Sequence, residues 1–156
     1  DSFREVDYGP DENKTDDEVM LRLGQVYAAK EGKNPAEMSE DALTDVGRHV
    51  IDLWNEKAIV PDGWKVSPED CIHAWMKFGE KVFKNFHGEN IMVVSSNGVI
   101  RFAPYLTGDF NGFAGEHDIK VTTGGVCVFE REDDEENWHC TEWNVKPKKY
   151  FESLPD

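Results

Sequence analysis

The sequence predicts a mixed α/β fold in which helices cover a sheet that has antiparallel strands at its edge. Three observations support this fold class. Apolar residues recur at helical spacing through the first half of the chain. A short stretch, IMVVS at residues 91–95, has the character of a strand covered on both faces of a largely parallel sheet. Strand-like segments then alternate with turn residues towards the end of the chain, which is typical of layered α/β proteins.

Three helices are predicted from their first residues and from the apolar residues that follow. Thr15 and Glu18 fit the N-cap and N3 positions of a capping box, and Ser39 can cap a second helix. Ser67 followed by Pro68 predicts the start of a third helix, because proline is well tolerated at the first helical position. The inward stripes are Val19, Leu23, Val26 and Tyr27; Leu43, Val46, Val50, Leu53 and Trp54; and Ile72, Trp75, Phe78, Val82, Phe83 and Phe86.

The rest of the chain predicts one more helix, a loop and three further strands. Helical spacing resumes near Gly98, directly after the apolar stretch. The segment TGDFNGFAGEH at residues 107–117 is rich in glycine and predicts a loop. Alternating segments bounded by glycine and acidic turns predict strands at residues 118–122, 126–131 and 138–145.

The net charge of −15 limits the partners that the chain can have. So acidic a protein should be soluble and should repel nucleic acid and anionic membranes, and we expect neither as a partner. Phosphorylated ligands are repelled as well, unless a local arginine or a helix terminus overrides the global field. No apolar run approaches the roughly 20 residues of a membrane helix.

The length and the cysteine content suggest one intracellular domain. The 156 residues suit a single domain, spanning 1–156, with a real core. The chain opens DSFREVDYG, with neither an initiator methionine nor a secretory signal, so we expect a processed, truncated or partial chain. Cys71, Cys127 and Cys140 show no CxxC spacing. We therefore expect reduced structural cysteines, no zinc site, and a location in the cytoplasm or an organellar matrix.

The turn Ser95-Ser96-Asn97-Gly98, where the predicted strand gives way to a helix, is a candidate site. A helix N-terminus offers free N–H groups and a positive dipole end, so this turn can bind an anion. Serine and asparagine are also ordinary N-cap residues, and the local sequence alone favours that structural interpretation. A serine nucleophile is less favoured still, because the GxSxG pattern is missing.

Carboxylates and histidines add few candidates on local sequence alone. Glu5 and Asp7 lie in REVDYGPDE, where a carboxylate in a cleft could act as a general acid, but the stretch taken alone indicates an acidic surface loop. None of the five histidines has HxxxH spacing, and His117 is the most plausible of them for a pocket. The acidic run at residues 132–136 is more typical of a solvated hairpin turn than of a cation site.

Two separated segments resemble the histidine phosphatase superfamily, the phosphoglycerate-mutase-like proteins. FREVDYGPDENKT at residues 3–15 resembles that family's E-x-x-[FY]-G-x-x-E-G-x-T segment, and IMVVSSNGVIR at 91–101 resembles its V-V-S-H-G-G-x-I-R segment. The stretch AIVPDGWKVSPEDCIHAWMKF is similar to the helix before that strand, and KVTTGGVCVF with WHCTEWNVKP to the closing strands. The resemblance is to a bacterial-type branch with S-N-G in place of H-G-G, apart from an apparent insertion around residues 28–42.

This resemblance implies a fold and a set of roles. The family fold is a three-layer α/β/α sandwich with a mostly parallel sheet and antiparallel edge strands, here with its N-terminal strand missing. Glu5 matches the catalytic acid/base glutamate. Ser96 takes the place of the second catalytic histidine, Asn97 that of the following glycine, and Gly98 matches, so these three would bind phosphate. Arg101 matches too but is expected to face away from the phosphate. No metal or organic cofactor is implied.

Two functions follow from these roles. In the first, the domain hydrolyses a phosphorylated small molecule through a phosphohistidine, once an arginine-histidine-glycine (RHG) segment, expected upstream of Asp1, is present. In the second, the chain is a catalytically inactive pseudoenzyme that serves as a binding or structural subunit, as a homo-oligomer or with a partner protein. The 156-residue chain alone is expected to be inactive and either poorly stable or dependent on a borrowed strand.

Overall fold

The computed structural model describes residues 3–148 and has the mixed α/β character that the sequence predicts. The contacts divide the chain into two compact units, one of residues 6–66 and the other of residues 67–148 together with residues 3–5. The α-helices of the described residues are α1 (Asp16–Lys30), α2 (Glu40–Lys57), α3 (Pro68–Asn85), α4 (Asn97–Ile100) and α5 (Phe110–Glu116), and the strands are β1 (Val126–Glu130) and β2 (His139–Val145). Short 3-10 helices span Gly9–Asp11, Pro35–Glu37 and Ala103–Thr107.

The unit of residues 6–66 is built on α1 and α2, and both helices begin where the sequence predicts. The Thr15 hydroxyl accepts the Glu18 N–H, and the Glu18 carboxylate accepts the Thr15 N–H at 2.9 Å, which completes the capping box. The Ser39 hydroxyl accepts the N–H of Ala42 at 3.2 Å at the start of α2. These bonds satisfy backbone donors that a helix would otherwise leave without a partner.

Two glycines let α1 and α2 approach almost to backbone contact. A Cβ atom at Gly24 would lie 1.9 Å from the carbonyl oxygen of Leu43, and one at Gly47 would lie 1.7 Å from that of Met20. Because Gly24 faces residue 43 while Gly47 faces residue 20, the two helices run antiparallel. Any side chain at these two positions would force the helices apart.

A buried carboxylate fixes the segment that precedes α1. Asp11 is only 6% exposed. Its carboxylate pairs in a bidentate manner with the Arg22 guanidinium of α1 and also accepts the indole N–H of Trp64 at 2.7 Å. Such a charge-assisted fork holds two groups in one geometry. It ties three separate parts of the chain together within this unit.

The second unit has its core around α3 and the segment that follows α4. The Ser67 hydroxyl caps α3 by accepting the Asp70 N–H at 3.2 Å, as the sequence predicts. The Trp75 indole of α3 donates a buried 3.0 Å hydrogen bond to the carbonyl of Val99 in α4. The buried apolar side chains of this unit are Trp75, Val99, Phe102, Ala103, Leu106, Ile119 and Val121.

β1 and β2 form an antiparallel hairpin close to the two predicted strands at 126–131 and 138–145. Phe129 pairs with Cys140, and Glu130 pairs with His139. The register shifts on both sides of Val128, which marks a bulge or irregularity. The acidic run at 132–136 lies in the connection between the strands, as expected of a hairpin turn.

Two predicted strands do not form among the described residues. Residues 91–95 carry no strand assignment, because no neighbouring strand pairs with them. Residues 118–122 are held by side chains instead of a ladder: the Val121 N–H donates to the Asn97 side chain at 2.8 Å, and the Thr122 N–H to the Asn144 side chain at 2.9 Å. The side-chain oxygens of Asn97 and Asn144 accept hydrogen bonds from backbone N–H groups that would otherwise pair with a neighbouring strand.

The prediction of a loop at residues 107–117 is also wrong, since this segment contains the helix α5. The Asp109 carboxylate caps this helix by accepting the N–H of Gly112 at 2.9 Å. A good N-cap thus outweighs the low helix propensity of the glycines. None of the helices among residues 3–148 is both long enough and apolar enough to cross a membrane.

Candidate functional site

The two segments that carry the family resemblance meet at a pair of hydrogen bonds. The Ser96 hydroxyl donates to a carboxylate oxygen of Glu5 at 2.7 Å, and the neighbouring Ser95 hydroxyl donates to the carbonyl of Phe3 at 2.5 Å. Residues 3–5 therefore lie along the end of the 91–96 segment, although about 90 residues of sequence separate them. The resemblance implied that Glu5 and the Ser96 turn lie at one site, and neither segment alone would have predicted it.

Aromatic packing holds residues 3–5 at this position. The Phe3 ring lies 4.4 Å from the ring of Trp75 and 5.2 Å from that of Phe78, between centroids. Both partners belong to α3, and Trp75 is buried. Edge and tilted contacts of this kind stabilise beyond the area that they bury. Phe3 thus anchors the backbone two residues before Glu5.

The Glu5–Ser96 pair is exposed and has a definite donor direction. An O–H donating to a carboxylate is a charge-assisted bond, stronger than one between neutral groups. A hydroxyl has a single proton and two acceptor lone pairs. While Ser96 donates to Glu5, it can therefore only accept hydrogen bonds from a ligand. Ser96 can donate to a phosphoryl oxygen only when its hydroxyl no longer donates to Glu5.

Asn97 and Gly98 have structural partners as well as the positions that the resemblance assigns to them. The Asn97 side-chain oxygen accepts the Val121 N–H at 2.8 Å, which fixes the segment after α5. Gly98 is buried. The N–H groups of these two residues open α4 and donate to no acceptor within residues 3–148. Because α4 has four residues, its dipole is small and the anion-binding power of its end is limited.

Arg101 lies inside the second unit. Its side chain is fully buried, with 0% of the residue exposed, and its Nε donates to the carbonyl of Asn97 at 3.3 Å. The guanidinium is therefore not available to a ligand that approaches Ser96 from solvent. The local sequence did not predict this burial, since arginine is rarely buried so completely.

The histidine and cysteine side chains are further candidates for a site. Among residues 3–148, no group of three or more histidine, cysteine or acidic side chains could hold a metal ion. His117 is exposed and packs against the Phe113 ring at 4.5 Å. All three cysteines are free, and burial raises the pKa of the Cys71, Cys127 and Cys140 thiols, that of Cys140 to about 12. Such thiols are inert as nucleophiles at neutral pH.

The apolar segment before the site is exposed, which the sequence did not predict. Met92 is 86% exposed, Val94 is 80% exposed and Ile91 is 40% exposed. A run of this composition is normally buried in a sheet.

A shallow groove lies on the unit of residues 6–66. Its volume is about 320 Å³, and Lys14, Glu18 and Arg22 line it together with Asp11. The two cations stand beside two carboxylates, so their charges offset each other. The groove offers no net charge to an anionic ligand.

The chain matches no protein-family model, and no curated protein or solved structure is significantly similar to it.

Proposed function

We propose that residues 1–156 are the C-terminal portion of a single phosphoglycerate-mutase-like histidine phosphatase domain that acts on a phosphomonoester. The observation that carries this proposal is the 2.7 Å hydrogen bond from Ser96 to Glu5. It joins the two residues that the resemblance assigns to one active site. The three-layer α/β/α sandwich forms when a further strand pairs with the 91–96 segment, and the domain works in an intracellular compartment.

The proposed reaction has two steps and needs a histidine from the RHG segment. The imidazole attacks phosphorus, the bond from phosphorus to the leaving oxygen breaks, and the Glu5 carboxyl gives that oxygen its proton. Water then attacks the phosphohistidine while the Glu5 carboxylate takes a proton from it. Inorganic phosphate leaves, and both the histidine and the protonated Glu5 are restored.

Protonated Glu5 also suits phosphate binding at Ser96. With its carboxyl neutral, Glu5 no longer repels the dianionic ester and no longer needs the Ser96 proton. The hydroxyl then turns to a phosphoryl oxygen beside the N–H groups of Asn97 and Gly98. A neutral hydroxyl is a weaker donor than the imidazolium it replaces, and loss of one such preorganised donor costs about 100- to 1000-fold in rate.

Hydrolysis of p-nitrophenyl phosphate by the full natural chain that contains these residues tests the proposal. We expect Glu5→Gln to lower kcat by about 100-fold or more, because an amide cannot donate the proton. The amide oxygen still accepts the Ser96 hydroxyl, so thermal stability should hardly change. Glu116→Gln, an exposed carboxylate of the same unit, is the matched control and should leave kcat unchanged. Equal turnover by Glu5→Gln and wild type would remove Glu5 from the mechanism.

The second candidate function is that of a pseudoenzyme. It is favoured because polar groups of the site bond within the protein and are not open to a ligand. The Asn97 side chain is bonded to Val121, and the Arg101 guanidinium is buried. A net charge of −15 also opposes phosphate binding. The chain would then be a binding or structural subunit. An RHG motif absent from the residues before Asp1 in the parent gene, with no turnover by the full chain, would select this function.

A further inference from the structure

We propose that Trp75 of α3 is a positioning residue that holds the two sides of the Glu5–Ser96 pair in one geometry. It acts through the backbone segments that carry these two side chains, and both segments lie with α3 in the second unit. The inference rests on the proposed function for its effect on turnover. Two separate contacts of the Trp75 side chain support it, one with each segment.

The first contact fixes the segment that carries Ser96. The Trp75 indole N–H donates to the carbonyl of Val99 at 3.0 Å, and this bond is buried. The Val99 N–H in turn donates to the carbonyl of Ser96 at 3.1 Å. Because α4 has only four residues, few bonds of its own hold it in place. The bond from α3 therefore helps to fix the direction in which the Asn97 and Gly98 N–H groups point.

The second contact fixes the segment that carries Glu5. The Phe3 and Trp75 rings lie 4.4 Å apart between centroids, at an interplanar angle of 43°. Trp75 is only 6% exposed, so its indole cannot move without displacing the side chains around it. The Phe3 carbonyl and the Glu5 carboxylate also accept the hydroxyl groups of Ser95 and Ser96. The segment is therefore held from α3 as well as from the serine turn.

These contacts form a closed circuit that starts and ends at one buried side chain. Its members, in order, are Trp75, Val99, Ser96, Glu5 and Phe3. A general acid must lie within hydrogen-bond reach of the oxygen that it protonates. A displacement of about 1 Å in such a group can cost about 100-fold in rate. The circuit keeps the acid and the phosphate-binding turn at a fixed separation, which is what the proposed reaction requires.

Two conservative variants of the full natural chain separate the two contacts, with p-nitrophenyl phosphate as the substrate. Phe3→Leu removes the aromatic contact and loosens the acid, which acts only in the transition state. We expect kcat to fall about tenfold with KM nearly unchanged. Trp75→Phe keeps a ring beside Phe3 but removes the donor to Val99, and so loosens the N–H groups that bind the phosphoryl group. We expect it to raise KM about threefold or more, in addition to lowering kcat.

Trp143→Phe is the matched control, because it removes an indole N–H that donates to the carbonyl of Asp118 at 2.8 Å in the same unit. It should leave both kcat and KM unchanged. Wild-type kcat and KM in a folded Trp75→Phe chain would overturn the inference. If Trp75→Phe does not fold, Phe3→Leu decides in its place, and wild-type kcat in that variant would overturn the inference as well.

Backbone amide chemical shifts give a second measurement that does not depend on turnover. Trp75→Phe should move the amide signals of both Glu5 and Ser96, whereas Trp143→Phe should leave them in place. If the wild-type chain hydrolyses no phosphomonoester, the proposed function fails, and these signals alone decide whether Trp75 positions the pair. Glu5 and Ser96 signals that stay in place in Trp75→Phe would overturn the inference whatever the activity.

Discussion

The two units of the chain differ in how completely they pair their polar groups and bury their apolar side chains. In residues 6–66, two helices pack closely at Gly24 and Gly47. The buried Asp11 carboxylate accepts hydrogen bonds from the Arg22 guanidinium and the Trp64 indole. In residues 67–148, Ile91, Met92 and Val94 are exposed, and the backbone of residues 91–94 makes no hydrogen bond to any residue from 3 to 148. The first unit pairs its buried carboxylate internally, whereas the second presents both the Glu5–Ser96 pair and the exposed side chains of Met92 and Val94. The chemistry and the binding of this chain are therefore expected in the second unit.

The largest effect should come from filling the helix contact of the first unit. Gly47→Ala places a Cβ atom 1.7 Å from a backbone oxygen of α1, which neither helix can accommodate without moving. We expect a loss of about 3 kcal/mol in the free energy of unfolding, at the upper end for overpacking. Urea unfolding followed by circular dichroism measures it. Gly115→Ala, with open space around its Cβ in α5, should be neutral or slightly stabilising.

Breaking the buried carboxylate of the first unit should have the next largest effect. Asp11→Asn removes the charge that pairs with Arg22, which is only a quarter exposed, and leaves a cation without its partner. Because Arg22 keeps some contact with water, we expect a cost of about 2 kcal/mol, below the range for fully buried pairs. Asp17→Asn, an exposed acid in the first turn of α1, should cost less than about 1 kcal/mol. Equal urea midpoints for the two variants would show that the contacts of Asp11 with Arg22 and Trp64 add nothing to the stability of the unit.

Acid should weaken the first unit before the second. The Gly9 N–H and Lys65 lower the pKa of Asp7, the Thr15 N–H lowers that of Glu18, and Lys30 lowers that of Asp62. A lowered folded-state pKa contributes stability above the unfolded pKa, and this stability is lost as pH falls through the folded value. The protection factors of the α1 and α2 amides, which correct for the slower intrinsic exchange in acid, should fall between about pH 5 and pH 3. Asp7→Asn should reduce this pH dependence, and an unchanged dependence would remove Asp7 as a cause.

The smallest effect is expected within the open segment of the second unit. Val94→Thr should change the free energy of unfolding by less than about 0.5 kcal/mol, as for an exposed position away from any special feature. The same change in a buried strand would cost about 1–3 kcal/mol, because the hydroxyl would lose its water without gaining a partner. A loss of that size in the isolated chain would show that residues 91–94 are covered.

The sequence predicts those elements whose signals are local. Thr15, Ser39 and Ser67 each cap the helix that follows them, since a cap and the first turn lie within four residues of each other. The predicted strand at 91–95 fails because a strand exists only with a neighbour to pair with, and composition cannot supply one. The strand at 118–122 fails for a related reason, since distant asparagine side chains take its backbone bonds.

The candidate site could be predicted only in part. The resemblance placed Glu5 and Ser96 at one site, although on local sequence alone the two segments read as a surface loop and a helix cap. The internal partner of Asn97 and the burial of Arg101 depend on how the segments after α4 and α5 fold back, and no local pattern encodes that path. The exposure of Met92 and Val94 could not be predicted, because an apolar run in a sequence normally indicates a buried segment.

Amide hydrogen exchange on the isolated chain tests most directly whether the second unit leaves its 91–94 segment open. The backbone N–H groups of Met92, Val93 and Val94 should exchange at close to the rates of an unstructured chain, because no acceptor among residues 3–148 bonds to them. Those of Leu23 in α1 and Val50 in α2 should be protected, as buried helical amides are. Strong protection of residues 92–94 in a monomeric sample, equal to that of the two helices, would contradict the account.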